Sequence, residues 1–247
     1  MTKESPAVEA AILEGMTRQQ LIGRDLVAAA RRREVGAITC DPLVFGLDCA
    51  HFGDDRSTLA IRCGRDARSR PWKRWHGADT MAVAGDVALQ ARTWKPDAIF
   101  VDAGAMGAGV IDRLRQLGVA NVFEVYFDGK GRDADWAAGV RIRTANKRAE
   151  MWASMRAWLA GGAIPDEQAI EDDLCGVEYG YDADQRIRLE KKDHGEARGL
   201  ASPDDAAGNA DALACTFAEP VMPRAVPEWL EPANYGRPKG YDRYADI

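Results

Sequence analysis

The chain has 247 residues, of which 46% are hydrophobic and 29% are charged, and its formal net charge is −6. This length and composition predict one large or two small globular domains and exclude a chain that is disordered throughout. No apolar run approaches the roughly 20 residues of a membrane-spanning helix, and the N-terminus lacks the pattern of a secretory signal. The acidic balance argues against a protein that simply coats nucleic acid, but it does not exclude a nuclease with an acidic active site.

The first elements in chain order are a helical lead-in over residues 1–40 and a β-hairpin. The hairpin pairs the apolar runs 43–50 and 57–64, and Gly53 and Asp54 suit its turn. A third strand is predicted around residues 72–76. The lead-in places apolar residues among good helix formers and carries arginines toward its end.

The middle of the chain alternates between helical and extended patterns. Residues 79–94 have helical spacing, 98–102 form an apolar strand, 110–118 form an amphipathic helix that Gly118 caps, and 121–127 form another strand. This β-α-β-α-β order predicts an α/β sheet that is covered on both faces.

The remaining elements are predicted from shorter signals. Residues 146–162 form a helix with a Gly-Gly stop, and the alternating segment RIRLE at 186–190 is a strand of an exposed hairpin. The last helix covers 201–220, with Ser202 as its N-cap. The Pro-, Gly- and Tyr-rich residues after Pro220 are expected to form an extended or disordered tail.

Three aspartates stand among apolar neighbours. Asp48 lies in the strand VFGLDCA, Asp102 ends the strand AIFVD, and Asp211 lies inside the helical segment NADALACTF. Such a carboxylate is costly unless a partner offsets its charge, and no basic residue adjoins these three in the sequence. The chain's three histidines and five scattered cysteines indicate no zinc site. A hard divalent cation would be a suitable partner, and three carboxylates can hold two Mg²⁺ ions about 4 Å apart for phosphodiester hydrolysis.

An aspartate in this sequence can also have a purely structural role, in a turn or at the start of a helix. An aspartate after a strand is often a turn former, and Asp204 and Asp205 would favour the dipole in the first turn of the last helix. The stretch DAGAMGAGV at 102–110 follows a strand and opens a helix, which suits phosphate binding, although its spacing is not GxGxxG. No GxxxxGK[ST] motif occurs, so the chain carries no P-loop ATPase.

Four sequence segments occur in a specific order along the chain, and the order is more specific for a protein family than any single segment. They are GLDCAHFGDDRSTLAIRCG, IFVDAGAMGAGVIDRLRQLG, NKRAEMW with the later IPDE, and RIRLEKKDHGEARGLASPDDAAGNADALACTFA. Together they resemble the nuclease domain of tailed-bacteriophage large terminase subunits, over about residues 20–220. One departure is the AAGN that separates Ser-Pro-Asp from Asp-Ala-Leu, which leaves open the choice between Asp204 and Asp211.

The resemblance implies a ribonuclease H-like α/β fold, a mixed central sheet with helices on both faces, in a nuclease domain over residues 41–220. The lead-in at 1–40 and the tail at 221–247 flank it. Large terminases carry a motor domain upstream, so we expect an excised domain rather than a separately encoded nuclease.

The resemblance also implies a metal-dependent endonuclease that cuts concatemeric viral DNA during genome packaging. Two divalent cations, Mg²⁺ or Mn²⁺, would be held by the catalytic acids Asp48, Asp102 and Asp211, with Asp204 as a further candidate ligand. The implied partners are double-stranded DNA, the ATPase motor domain, the small terminase subunit and the portal, with no membrane. The implied location is the cytoplasm of the infected bacterial host, and the protein is not expected to be secreted.

In the hypothesis for the mechanism, Asp48 bridges two metals, Asp102 supports one and Asp211 the other, so that no side-chain nucleophile is needed. Basic clusters are candidates for phosphate contact, although charge runs are usually solvated surface. The predicted DNA-binding residues are Arg186, Arg188, Lys191, Lys192, Arg143, Lys147 and Arg148.

Two other functions stay open. One is a different ribonuclease H-like nuclease, of the resolvase or transposase type, which would share the acids but not the closing stretch. The other is a non-catalytic nucleotide-binding module for packaging, in which the glycine-rich stretch holds phosphate.

Overall fold

The computed structural model describes residues 19–35, 40–49, 56–104, 106–137, 139–190 and 208–222. The elements in chain order are β1 (Gln19–Gln20), α1 (Arg24–Arg32), β2 (Leu43–Asp48), β3 (Arg56–Cys63), β4 (Lys73–His76), α2 (Thr80–Trp94), β5 (Ala98–Asp102), α3 (Gly107–Gln116), β6 (Val122–Val125), β7 (Ala134–Ala137), β8 (Val140–Ile142), α4 (Lys147–Leu159), α5 (Gln168–Gly176), β9 (Glu178–Tyr181), β10 (Ile187–Leu189) and α6 (Asn209–Cys215).

The central sheet has five strands in the order β4-β3-β2-β5-β6. β2 pairs with β3 and β3 with β4 in antiparallel fashion, whereas β5 pairs in parallel with β2 on one side and β6 on the other. All six residues of the central strand β2 are buried. The predicted hairpin and the predicted mixed α/β sheet are therefore confirmed, although the hairpin turn at 50–55 lies outside the described residues.

Each face of the sheet supports its own apolar core. Phe45 and Leu47 of β2 point to the face that α2 and α3 cover through residues such as Val87 and Ile111. Val44 points to the other face, which packs with α4, α6 and their neighbours. Because side chains alternate along a strand, Gly46 and Asp48 share the face of Val44. The end of β2 therefore presents its carboxylate toward α4 and α6.

Several smaller elements were not predicted from the sequence. β1 and β10 flank β9 in a three-stranded antiparallel sheet, β7 and β8 form a separate hairpin, and α5 precedes β9. The predicted strand in RIRLE is confirmed as β10, but the expectation that its hairpin is exposed is wrong, because Ile187 and Leu189 are buried and Arg188 is half-buried. Within the predicted lead-in, α1 contributes Val27 and Ala30 to the same core as α4.

The predicted helix ends need correction at three places. α4 begins after Asn146, whose side chain accepts a hydrogen bond from the amide of Ala149, and it ends before the two glycines. α3 starts three residues before the predicted 110. The last helix ends at Cys215 rather than 220, because the Thr216 hydroxyl and amide both bond to the carbonyl of Leu213 and close the helix in a tight turn. The predicted start at 201 with its Ser202 cap lies outside the described residues.

Within the described part of the chain, no helix combines the length and the apolar character needed to cross a membrane. Most of the predicted tail, residues 223–247, lies outside that part.

Candidate active site

Asp48 and Asp102 end two neighbouring parallel strands. The register of β2 and β5 pairs Leu47 with Val101, which places the two aspartates one position further along adjacent strands. Neighbouring strands lie about 4.8 Å apart, and both residues occupy the face that α4 and α6 cover. Asp48 is buried, and Asp102 is half-buried. Two carboxylates are thus brought side by side at one edge of the sheet.

Asp211 reaches this edge because α6 packs directly on β2. A Cβ atom at Gly46 would lie 2.1 Å from the carbonyl oxygen of Ala212, so only glycine allows the helix backbone this close. At the start of α6, Gly208 has a φ of +95° and its Cβ position lies 3.3 Å from Oδ2 of Asp48. The helix that carries Asp211 therefore begins beside the first carboxylate.

The charges of all three acids act on Cys215, which is buried in α6. Burial raises the pKa of its thiol well above the ordinary value, and the negative charges of Asp48, Asp102 and Asp211 raise it further. The pKa of the Cys49 thiol is raised in the same way, by burial and then by Asp48 and Asp102. Three carboxylates predicted from separate segments of the sequence thus act on one small region.

Asp211 has a basic partner that its sequence neighbours do not supply. Oδ1 accepts hydrogen bonds from Nε of Arg148 at 3.1 Å and from Nε1 of Trp152 at 2.7 Å, and Oδ2 accepts from Nη2 of Arg148 at 3.3 Å. Arg148 also donates from Nη1 to the carbonyl of Glu190 at 3.0 Å. The guanidinium is therefore an internal counter-ion of Asp211, not a side chain free on the surface.

The pKa of Arg148 follows from this environment. Burial alone would lower the pKa, but the charge and hydrogen bonds of Asp211 outweigh it, and Asp48 and Asp173 act in the same direction, so that the net pKa is raised. Arg148 therefore carries its charge at every physiological pH.

A sequence signal for this pair exists in α4. Arg148, Trp152, Met155 and Leu159 recur at helical spacing, and the last three are fully buried. A basic residue on such a buried stripe needs an acidic partner. The partner, Asp211, is 63 positions away and could not be assigned without the fold.

The donor set suits a hard divalent cation, because carboxylate oxygens are the ligands that Mg²⁺ and Mn²⁺ prefer. Asp48 and Asp102 would supply a pair of such ligands. Among the described residues, however, no three His, Cys, Asp or Glu side chains converge closely enough to hold a metal ion by themselves. Asp204, the further candidate ligand, lies outside the described residues.

The glycine-rich stretch after β5 serves close packing. The amide of Gly104 donates to Oδ1 of Asp102 at 3.1 Å, and the amide of Gly107 donates to the carbonyl of Gly104 at 2.9 Å. A Cβ at Gly107 would lie 1.7 Å from the carbonyl oxygen of Asp102. These glycines let the chain fold back tightly behind the second acid.

The predicted DNA-binding residues fall into different environments. Arg186 pairs with Asp182 and Asp184, and Lys147 pairs with Glu150 and Glu219.

Arg143 is exposed. Its backbone carbonyl accepts a hydrogen bond from the amide of Ile187, so Arg143 lies beside β10, which also contains the half-buried Arg188. Lys191 and Lys192 directly follow β10, but they lie outside the described residues.

Comparison with known proteins identifies this architecture. No protein-family model and no curated protein sequence matches the chain. Among solved structures, the nuclease domain of the large terminase subunit gp2 of bacterial virus Sf6 matches over 82% of this chain and 100% of its own, with a TM-score of 0.65 and 17% identity. The large terminase nuclease from thermophilic phage G20c matches over 81% of this chain and 97% of its own, with a TM-score of 0.53 and 14% identity.

The chain has the fold of a terminase nuclease domain. The resemblance stated from the sequence motifs is thereby confirmed, and so is the ribonuclease H-like α/β fold with its five-stranded mixed sheet between helices. A mutant of the Sf6 domain has been solved with manganese, and the G20c nuclease with magnesium.

Proposed function

We propose that this chain is a metal-dependent DNA endonuclease that acts in viral genome packaging by two-metal phosphodiester hydrolysis. The observation that carries the proposal is the pair of carboxylates, Asp48 and Asp102, at the ends of adjacent parallel strands, with Asp211 presented by the covering helix. The terminase nuclease fold and the divalent metals in similar structures support the same function.

Asp48 lies between the other two acids in this arrangement, because it neighbours Asp102 across the sheet and the start of α6 above it. In the proposed reaction Asp48, Asp102 and Asp211 would hold the two cations, with Asp48 placed between the other two acids. The bound cations would activate water and stabilise the leaving oxygen.

Neighbouring residues contact the acids. Cys215 of α6 is buried on this face of the sheet, and the amide of Gly104 donates a hydrogen bond to Asp102. Double-stranded DNA would approach from the outer side, where β10 ends and Lys191 and Lys192 follow. The motor domain, the small terminase subunit and the portal are the partners that the resemblance suggests, in the cytoplasm of the infected host.

The test is cleavage of supercoiled DNA by the purified chain with Mn²⁺, Mg²⁺ or a chelator. We expect nicked and linear products only with metal, and none from Asp48→Asn or Asp102→Asn. Asp86→Asn is a matched control, because Asp86 lies on α2, on the other face of the sheet. Undiminished cleavage by Asp48→Asn would overturn the proposal, and ATP binding without cleavage would favour the nucleotide-binding alternative.

A further inference from the structure

The carboxylate of Asp211 is held on one side by two donors of the same helix. Arg148 and Trp152 are four residues apart on α4, so their side chains lie on one helix face, with the guanidinium 5.6 Å from the indole centroid. Both donate to Oδ1 of Asp211, at 3.1 and 2.7 Å. Asp211 and Trp152 are almost fully buried, at 4% and 1% exposure.

These contacts hold the carboxylate of Asp211 from one side. A carboxylate oxygen has two lone pairs, and Oδ1 already accepts two hydrogen bonds. Oδ2 accepts from Arg148 at 3.3 Å, the longest of the three contacts. In this arrangement Oδ2, rather than Oδ1, is therefore the oxygen through which Asp211 would bind a cation.

We infer that Arg148 and Trp152 are positioning residues that orient Asp211 as a ligand through one oxygen toward a divalent cation. The inference rests on the proposed function and adds a role for two side chains that hydrogen-bond to Asp211. It also gives Arg148 a different task from the phosphate contact predicted for it. Groups that orient a metal ligand commonly change metal affinity by about 10–100-fold when they are removed.

Trp152→Phe removes the N–H donor and keeps an aromatic ring, and α4 provides a matched control. Trp158 lies on the same helix and also donates its indole N–H, to the carbonyl of Gly64 at 2.9 Å, away from the acids. Both variants lose one indole hydrogen bond. We expect Trp152→Phe to weaken Mn²⁺ binding about tenfold in calorimetric titrations without DNA, and Trp158→Phe to leave it unchanged.

Arg148→Lys is the second variant, because it keeps the charge and loses the planar fork that reaches both oxygens. A similar loss of Mn²⁺ affinity is expected. In an Asp211→Asn background, where the carboxylate is already gone, Trp152→Phe should cause no further loss, since its effect passes through Asp211. Thermal melts of every variant establish that the folded protein is being titrated.

The outcomes separate this inference from the proposed function. If wild type binds Mn²⁺ and Asp48→Asn does not, but Trp152→Phe and Arg148→Lys bind as wild type does, the positioning role is wrong and the function stands. An equal loss in Trp152→Phe with or without the Asp211 carboxylate would also overturn it. If wild type binds no Mn²⁺ and cuts no DNA, the proposed function fails first.

Discussion

At the scale of single residues, two of the arginines that were predicted to bind DNA are held in ion pairs within the protein. Arg148 sits inside the molecule against Asp211, and Arg186 is bound by two acids of its own hairpin. Arg143, by contrast, is exposed and lies where β8 leads into the segment beside β10. From there β10 runs to Glu190, whose carbonyl receives Arg148, a distance of about 10 Å at 3.3 Å per residue. Arg143 is therefore an exposed arginine beside the strand that leads to the contact of Arg148, and we expect it to contact a backbone phosphate.

We expect Arg143→Glu to weaken DNA binding without changing its sequence preference, because phosphate contacts carry affinity rather than readout. The slope of log affinity against log salt should fall by about one. Fluorescence anisotropy with duplexes at several salt concentrations measures both. Arg92→Glu makes the same charge change on exposed α2, across the sheet, and should leave the slope near that of wild type. Equal effects of the two variants would mean that only net charge matters.

At the scale of elements, the contact between β2 and α6 determines how the site is built. Gly46 allows the backbone of Ala212 to approach, and the same approach brings Asp211 over the end of β2. The strands and helices of this layer were predictable, because β2 and β5 are apolar runs and α3 has a regular apolar stripe. The β7–β8 hairpin and β9 were not, since strands of three or four residues with few buried positions leave little pattern.

The candidate site was likewise predictable from the sequence only in part. Asp48, Asp102 and Asp211 could be selected from the sequence because a carboxylate among apolar residues is conspicuous. The pairing of Arg148 with Asp211 could not, because it depends on how α4 and α6 meet. Sequence patterns indicate which residues of an element are buried. Which distant residues pair is determined by how whole elements pack together.

Gly46→Ala tests the element contact directly. The added methyl group would overlap the carbonyl of Ala212, so we expect a loss of about 1–3 kcal/mol in the free energy of unfolding and weaker Mn²⁺ binding. Gly85→Ala is the control: Gly85 is an exposed glycine inside α2 with no atom within 4 Å of a Cβ, and its replacement should stabilise by about 0.5–1 kcal/mol. Urea denaturation measures both. A Gly46→Ala protein as stable as wild type would refute the close packing.

Ala218 and Glu219 follow the end of α6, and a hydrogen bond links this segment to Lys147 at the start of α4. Glu219 accepts from Arg132 at 2.8 Å and from Lys147 at 3.1 Å. Burial alone would raise its pKa, but these two hydrogen bonds outweigh it and the net pKa of Glu219 is lowered. A carboxyl whose folded pKa is lowered stabilises the fold above its unfolded pKa, about 4.3, and loses that contribution as the pH falls through the folded value.

Glu219→Gln should therefore lower stability at neutral pH and have progressively less effect as the pH falls below about 4.3. The carboxylate is half-exposed, so the loss should stay below about 1 kcal/mol and shrink in concentrated salt. Denaturation curves between pH 3 and 7 measure it. A loss that does not change over this range would show that the ion pairs do not stabilise the fold.

At the scale of the whole molecule, the two faces of the sheet differ in what they hold besides an apolar core. The acids and their counter-ion lie on the face under α4 and α6, and not on the face under α2 and α3. On the proposed function, cations at the candidate metal site would offset part of the acidic excess in the net charge of −6. Metal binding should then stabilise the whole fold, since it favours only the folded state.

We expect Mn²⁺ to raise the melting temperature as its concentration exceeds Kd. The gain in the free energy of unfolding should reach about 2.7 kcal/mol at one hundred times Kd. Asp48→Asn should abolish the increase, and Asp86→Asn should keep it. Differential scanning fluorimetry with Mn²⁺ and with a chelator measures the effect. The same increase in Asp48→Asn would place metal binding elsewhere in the molecule.

The position of α6 along the chain bears on how the protein is made. Asp48 and Asp102 leave the ribosome before Asp211, and their strands are able to pair before α6 has been translated. Asp211 follows much later, and it reaches the other acids only when α6 docks against Gly46. A growing chain thus carries Asp48 and Asp102 without Asp211 until α6 has been translated. On the proposed function, the site would stay incomplete until this helix has been made and packed.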